Sequence, residues 1–223
     1  MSSYREQMRE AVERTDAWGI DSWHKTLAMN RLSQPPAPPQ PRQEYGKKAL
    51  FFEHLSRTFP LPPEVRSNLC GPVHLLLSTM FMEKELSTAP FITIGEVVWS
   101  GDPCFGVTEE NLKATLDAGN VPFADIRIHV WLTFPDFTIL DFTFMPWQCR
   151  QNGEVMDLNE TGALKMYGNP DEMVGRYDYK PMLVGPEFLF RTGAVKPHER
   201  EAFLVTQAQW LQKFVTIQKK GGG

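Results

Sequence analysis

Cys70, His129 and Asp141 are three side chains whose types and order suit nucleophilic acyl transfer. The cysteine lies in Asn68-Leu69-Cys70-Gly71-Pro72-Val73-His74-Leu75-Leu76-Leu77, a loop running into an apolar helix. A thiol at a helix start sits at the positive end of the macrodipole, which favours the thiolate that attacks. The histidine and the aspartate lie in Ile128-His129-Val130-Trp131-Leu132-Thr133-Phe134-Pro135-Asp136-Phe137-Thr138-Ile139-Leu140-Asp141-Phe142-Thr143, which reads as a β-hairpin. An imidazole can take the thiol proton, and a carboxylate on the next strand can hold that imidazole in the required tautomer. Asp136 is the rival acid, but Pro135-Asp136 sits where the hairpin should turn. Asp141, back along the second strand, can face His129 across the ladder.

These side chains need a helix and a sheet to hold them. Cys70 to about Leu86 reads as the nucleophile helix, buried through Leu75, Leu76, Met80 and Phe81. Phe91 to Trp99 is a β-rich run. Asp125 to Phe134 and Phe137 to Phe144 form the hairpin about a two-residue turn, with Ile126, Ile128, Val130, Leu132 and Phe134 alternating at a strand's period. Thr108-Glu109-Glu110-Asn111 opens a helix, with a hydroxyl cap and acids in the first turn, that ends at Gly119. Tyr4 to Arg14 has helical composition. Lys47 to Phe59 has near-helical apolar spacing, broken by Pro60-Leu61-Pro62-Pro63. Strand-like pieces are expected around Val155 and over Leu183 to Phe190, and an amphipathic helix over Glu199 to Thr216.

Residues 1–45 read as a helical segment and a proline-rich strap, Gln34-Pro35-Pro36-Ala37-Pro38-Pro39-Gln40-Pro41, in polyproline II form. Residues 46–218 then form the catalytic domain, and 219–223 a flexible tail. Asn68, Trp99, Trp131 and Trp147 are the residues expected along a substrate groove, with Met145-Pro146-Trp147 on its rim.

His74 lies four residues after Cys70 on the same helical face. A Cys-x-x-x-His pair could bind metal only with further ligands. Cys104 and Cys149 stand alone, and His24, His54 and His198 are scattered, so zinc spacing is not met. His74 is expected to be a packed or semi-exposed helix residue, and neither a metal nor a cofactor is expected.

The span from about Gly46 to Thr143 resembles the transglutaminase-like superfamily of papain-like folds. There a helix-borne Cys is followed by a strand beginning His-Ala-Trp-like and a strand carrying Asp. The matching residues are Cys70, His129 with Trp131, and Asp141 with Phe142-Thr143. Cys70-Gly71-Pro72 is also similar to bacteriocin-processing peptidases with the same Cys, His, Asp order. Arylamine N-acetyltransferases share the order, but their Arg-Gly-Gly-x-Cys segment is missing here. The resemblance implies an α+β fold, papain- or transglutaminase-like, with the nucleophile helix packed on an antiparallel sheet. It implies acyl transfer through a Cys70 thioester on an amide or peptide, released to water or to an amine. The substrate would be a protein, a peptide or an amide-bearing small molecule. A catalytically inactive protein-binding module on the same fold is the alternative. Papain-like peptidases place a Gln about six residues before the nucleophile; here that position is Glu64, which leaves the N–H of Cys70, Asn68 or a Trp indole as oxyanion donors.

Composition bounds the remainder. A formal charge of −4 and the lack of a Lys/Arg stripe argue against nucleic acid. The polar start has no apolar h-region, and Val73 to Met82 is too short to span a bilayer, so neither a secretory signal nor a membrane span is expected, which leaves non-classical export open. Three cysteines do not make a disulfide framework, and the expected setting is a reducing cytoplasm.

Overall fold

The run FITIGEVVW forms β1 (Phe91–Trp99), the strand around which the rest is arranged. Its first seven residues are all buried, as expected of a β-branched and aromatic strand covered on both faces. One edge of β1 pairs antiparallel with β3 (His129–Thr133), and the other with β6 (Tyr177–Val184). β3 continues to β4 (Ile139–Asp141) and β4 to β5 (Met166–Gly168), while the short β2 (Asp102–Pro103) pairs with the end of β1. All the pairings are antiparallel. The computed structural model describes residues 2–20, 23–35, 42–83, 90–122, 125–154, 165–173 and 175–221, side chains excepted at 42–45 and 210–221.

The described helices are α1 (Tyr4–Ala17), α2 (Trp23–Ser33), α3 (Arg42–Thr58), α4 (Pro63–Arg66), α5 (Cys70–Glu83), α6 (Glu109–Ala118), α7 (Phe144–Asn152), α8 (Glu187–Thr192) and α9 (Pro197–Gly221). They cover both faces of the sheet. On one face Ile92, Ile94, Val130, Leu132, Leu140 and Leu183 pack with Val73, Leu77 and Phe81 of α5 and Phe203 of α9. On the other, Phe91, Val97, Trp131, Ile139 and Tyr179 pack with Tyr4, Met8, Ala11 and Val12 of α1 and with Ala28 and Leu32 of α2. The class is α+β, with α5, the helix that Cys70 opens, against an antiparallel sheet. The N-terminal segment is one of the two covering layers.

Gly95 is required by close approach. A β-carbon there would collide with the Lys180 carbonyl oxygen and lie 2.8 Å from the ring edge of Trp131. The β1–β6 register slips beside it, so β6 carries the extra residue of a bulge.

The hairpin is longer at its tip than the expected two-residue turn. Phe134 N–H bonds to the Thr138 carbonyl at 2.8 Å, and Phe137 takes a left-handed φ of 65°. Asp136 accepts the N–H and hydroxyl of Thr138, which holds this three-residue loop. Leu183 to Phe190 is a strand only as far as Val184; Glu187 then starts α8, set off by Gly185-Pro186. Met145, Pro146 and Trp147 lie within α7, which tolerates Pro146 because it falls in the first turn, where no intrahelical N–H is needed. α9 runs through Gly221, into the segment expected to be a flexible tail. Val155 and prolines 36, 38, 39 and 41 of the strap lie outside the described residues.

Candidate active site

Register brings the acid to the histidine. Leu132 faces Leu140 and Thr133 faces Ile139, so one step on, Asp141 comes opposite Trp131 and diagonal to His129 on the same face. His129 Nε2 and Asp141 Oδ2 are 2.6 Å apart, and both residues are buried. Every lone-pair direction of Asp141 is occupied. Oδ1 accepts the N–H groups of Thr143 and Phe144 and the Thr143 hydroxyl, which also caps α7; Oδ2 accepts the Tyr179 hydroxyl at 3.1 Å besides His129.

Burial alone would push the His129 imidazole down. The Asp141 charge and hydrogen bond outweigh it, and with the help of Cys70 they lift its pKa to about 9. Burial acts upward on Asp141, but His129, His74 and the Thr143 N–H hold its carboxyl well below the usual carboxylate range. Asp141 thus favours the charged form of the ring, and His129 the ionised form of the acid.

Cys70 is the first residue of α5, half-buried and free of disulfide. Its Sγ–H points to the carbonyl of Ile128, the residue before His129, at 3.7 Å. Nδ1 of His129 is buried with no hydrogen-bond partner among the described residues. The thiol is thus near enough to act on the imidazole electrostatically, yet its own bond goes to the backbone beside it. No backbone or side-chain acceptor among the described residues takes the N–H groups of Cys70 and Gly71, and Pro72 has none to offer.

The surroundings are aromatic. Phe105 stacks on His129, and Trp147 packs against Phe105 with centroids 4.7 Å apart. Phe105 is held by Glu96, whose buried carboxylate accepts four backbone N–H groups: Val97, Cys104 and Phe105 at Oε1 and Val107 at Oε2. Of the four residues expected along a groove, Trp147 meets this cluster at Phe105, and Trp131 meets it at His129 with ring centroids 5.9 Å apart. Trp131 is fully buried, and its indole donates to the Tyr4 hydroxyl at 2.8 Å, so it belongs to the core beneath α1. Trp99 is half-buried at the far end of β1, four residues beyond the partner of His129. Asn68 is exposed in the loop before α5, and Glu64 is exposed on α4. No spacing signal marked Phe105, Glu96 or Tyr179; they are distant in sequence and meet only through the sheet.

His74 is fully buried, and it bonds to the Cys70 carbonyl and the Phe142 N–H. Arg66, also buried, lies between the rings of Phe59 and Phe142 and donates to the Ser56 hydroxyl at 3.0 Å. Among the described residues no group of three or more His, Cys, Asp or Glu side chains could hold a metal, and no helix is long and apolar enough to cross a membrane. No family model matches the chain, nor does any curated protein or solved structure.

Proposed function

We propose that the protein is a cysteine-dependent acyl-transfer enzyme of transglutaminase-like type, acting through a Cys70 thioester on an amide or peptide. The observation that carries this reading is the buried His129–Asp141 pair at 2.6 Å, with the free thiol of Cys70 bonded one residue away at Ile128. In the reaction Sγ attacks the amide carbon as the thiolate, its proton carried at Nδ1 of His129, the ring nitrogen that Asp141 leaves open, in an imidazolium that the Asp141 charge stabilises. The oxyanion meets the unpartnered N–H groups of Cys70 and Gly71 at the positive end of α5, which answers the lack of a Gln at position 64. Collapse breaks the C–N bond as His129 returns the proton to the departing nitrogen. Water or an amine then attacks the thioester with His129 as base, giving hydrolysis, deamidation or transamidation.

One observation favours the alternative of an inactive binding module. The thiol is aligned on a carbonyl and not on Nδ1, so the Cys–His contact, although close enough to raise the His129 pKa, is not a well-aligned hydrogen bond. Resting geometry of this kind tightens in the substrate complex of many enzymes.

Limited alkylation with iodoacetamide near neutral pH separates the two. Burial raises the Cys104 thiol to about 11 and also pushes Cys149 up, so both should label slowly. Cys70 should label much faster, and His129→Ala should remove the difference. Equal, slow labelling of all three thiols would rule out the enzymatic reading.

A further inference from the structure

His74 reaches two elements at once. One turn into α5, its Nδ1 lies 2.9 Å from the Cys70 carbonyl oxygen, and its Nε2 lies 3.1 Å from the N–H of Phe142, the residue after Asp141. A carbonyl can only accept and an amide N–H can only donate. The proton therefore sits on Nδ1 and the lone pair on Nε2, which fixes the tautomer of a neutral ring. The side chain is fully buried.

The charged groups that face it come from three elements: Asp141 on β4, His129 on β3 and Arg66 on α4. Burial, the largest influence, works with the like charges of His129 and Arg66 against protonation. Asp141 and the Cys70 carbonyl favour it, and the balance lowers the pKa to about 4. Neutrality has a consequence for Asp141, whose Oδ1 is 3.6 Å from Nε2. A neutral ring with its lone pair engaged leaves that carboxylate to His129, Tyr179 and the Thr143–Phe144 turn. A charged ring would compete with His129 for it.

We propose that His74 is a positioning residue of the Cys70–His129–Asp141 centre, a neutral strut that ties the carbonyl of the nucleophile to the backbone beside the acid. The thiol and the imidazole stand on different layers of the fold, and reaction depends on their separation. The thiol itself adds its electrostatic pull on the His129 ring and a 3.7 Å bond to the Ile128 carbonyl, in which the S–H is a weak donor. His74 supplies two bonds of ordinary strength where that contact supplies one weak one. The catalytic consequence rests on the acyl-transfer reading; the strut itself does not.

Two measurements test it. In the wild-type protein, ¹⁵N NMR of the histidine rings should find His74 neutral, with its proton on Nδ1, from about pH 5 to 8. A ring protonated on Nε2, or charged at neutral pH, would overturn the proposal. His74→Asn can retain the bond to Cys70 and His74→Gln the bond to Phe142. Each should alkylate Cys70 with iodoacetamide roughly ten- to a hundredfold more slowly than wild type, with its pH profile displaced toward that of an unassisted thiol. Folded variants with the wild-type rate and profile would equally overturn it, and if neither variant folds, the tautomer decides. Should wild-type Cys70 label no faster than Cys104, the acyl-transfer reading falls, while the strut is still judged by the tautomer.

Discussion

Phe105 lies flat on the imidazole of His129, with ring centroids 4.1 Å apart and planes 5° from parallel. The stacked ring keeps water from the His129–Asp141 pair, and a dry pair is a strong one because solvent does not screen it. Removing the cover should therefore weaken the pair before it damages the fold.

Phe105→Ala should bring the His129 pKa down from about 9 toward the ordinary imidazole value of 6.5. Both influences on the ring shrink when water enters, and the larger sum, that of Asp141 and Cys70, shrinks more. The loss of the half-buried ring should also cost roughly 1–3 kcal/mol of stability. An NMR titration of the His129 ring checks the first effect, and a value unchanged in the variant would count against it. Phe105→Leu, which keeps an apolar cover, should shift less.

Glu96→Gln should destabilise the protein by about 2 kcal/mol, lowering the melting temperature by roughly 4–8 °C. The carboxylate accepts four N–H groups, whereas an amide turns one of its two ends into a donor facing them. Cys104 to Val107 should loosen first, so hydrogen exchange at Phe105 is expected to rise more than at β3. Uniform acceleration across the sheet would argue for global destabilisation alone.

Stability should be greatest near pH 6.5. His129 is raised to about 9, so its contribution is complete below about 6.5 and is lost as pH rises through 9. His74 and His24 are lowered, to about 4 and about 3, so the folded state resists binding protons that the unfolded chain accepts. Stability therefore falls as pH drops below 6.5, and the depressed carboxyl of Asp141 adds to that loss below about 4. Each group contributes a slope of at most about 1.4 kcal/mol per pH unit within its window. Urea titrations across pH should trace this maximum, and His129→Gln should flatten the alkaline side. The alkaline limb belongs to the coupled His129–Asp141 pair.

Tyr4→Phe should cost about 1–3 kcal/mol although it removes a single oxygen. The Tyr4 hydroxyl accepts from the Trp131 indole and bonds to the Thr133 hydroxyl, which bonds in turn to Thr93. The variant leaves the indole N–H buried and unpaired. Replacing Trp131 by Phe in the same background should recover part of the loss in a thermal melt, because it removes the orphaned donor. Additive losses would show that the two side chains are not coupled.

Much of the frame was legible because local rules agreed with the tertiary outcome. Phe91 to Trp99 is a strand by composition alone, and Thr108 and Gly119 bracket α6 with a hydroxyl cap and a left-handed glycine. The placing of Asp141 beside His129 followed from the hairpin's period, and its register delivers it. Other features carry no local signature. Met145-Pro146-Trp147 is expected only as a rim, and the helix α7 that it forms depends on Asp141, which accepts the N–H groups at its start from outside it. Trp131 read as a groove residue, but its orientation is decided by Tyr4, 127 residues away. The pattern leaves His74 packed or semi-exposed; it is fully buried, and its bond to the Phe142 N–H depends on a strand that no helical pattern can reveal.

The first helix lies on the last strand. Tyr4 N–H bonds to Asp171, Arg14 reaches the Met182 carbonyl, and the Thr15 hydroxyl takes the Val184 N–H at 3.0 Å. That same strand, β6, completes one edge of β1. A chain leaving the ribosome therefore carries an amphipathic helix whose seat is incomplete, and a central strand with an open edge, until Val184 has emerged. Assembly must be late and dominated by distant contacts, which makes it slow and leaves apolar surface in search of a partner meanwhile. The protein's exposure to aggregation is thus set by the order of synthesis, and a chain halted before β6 leaves one edge of β1 open and the second face only partly covered.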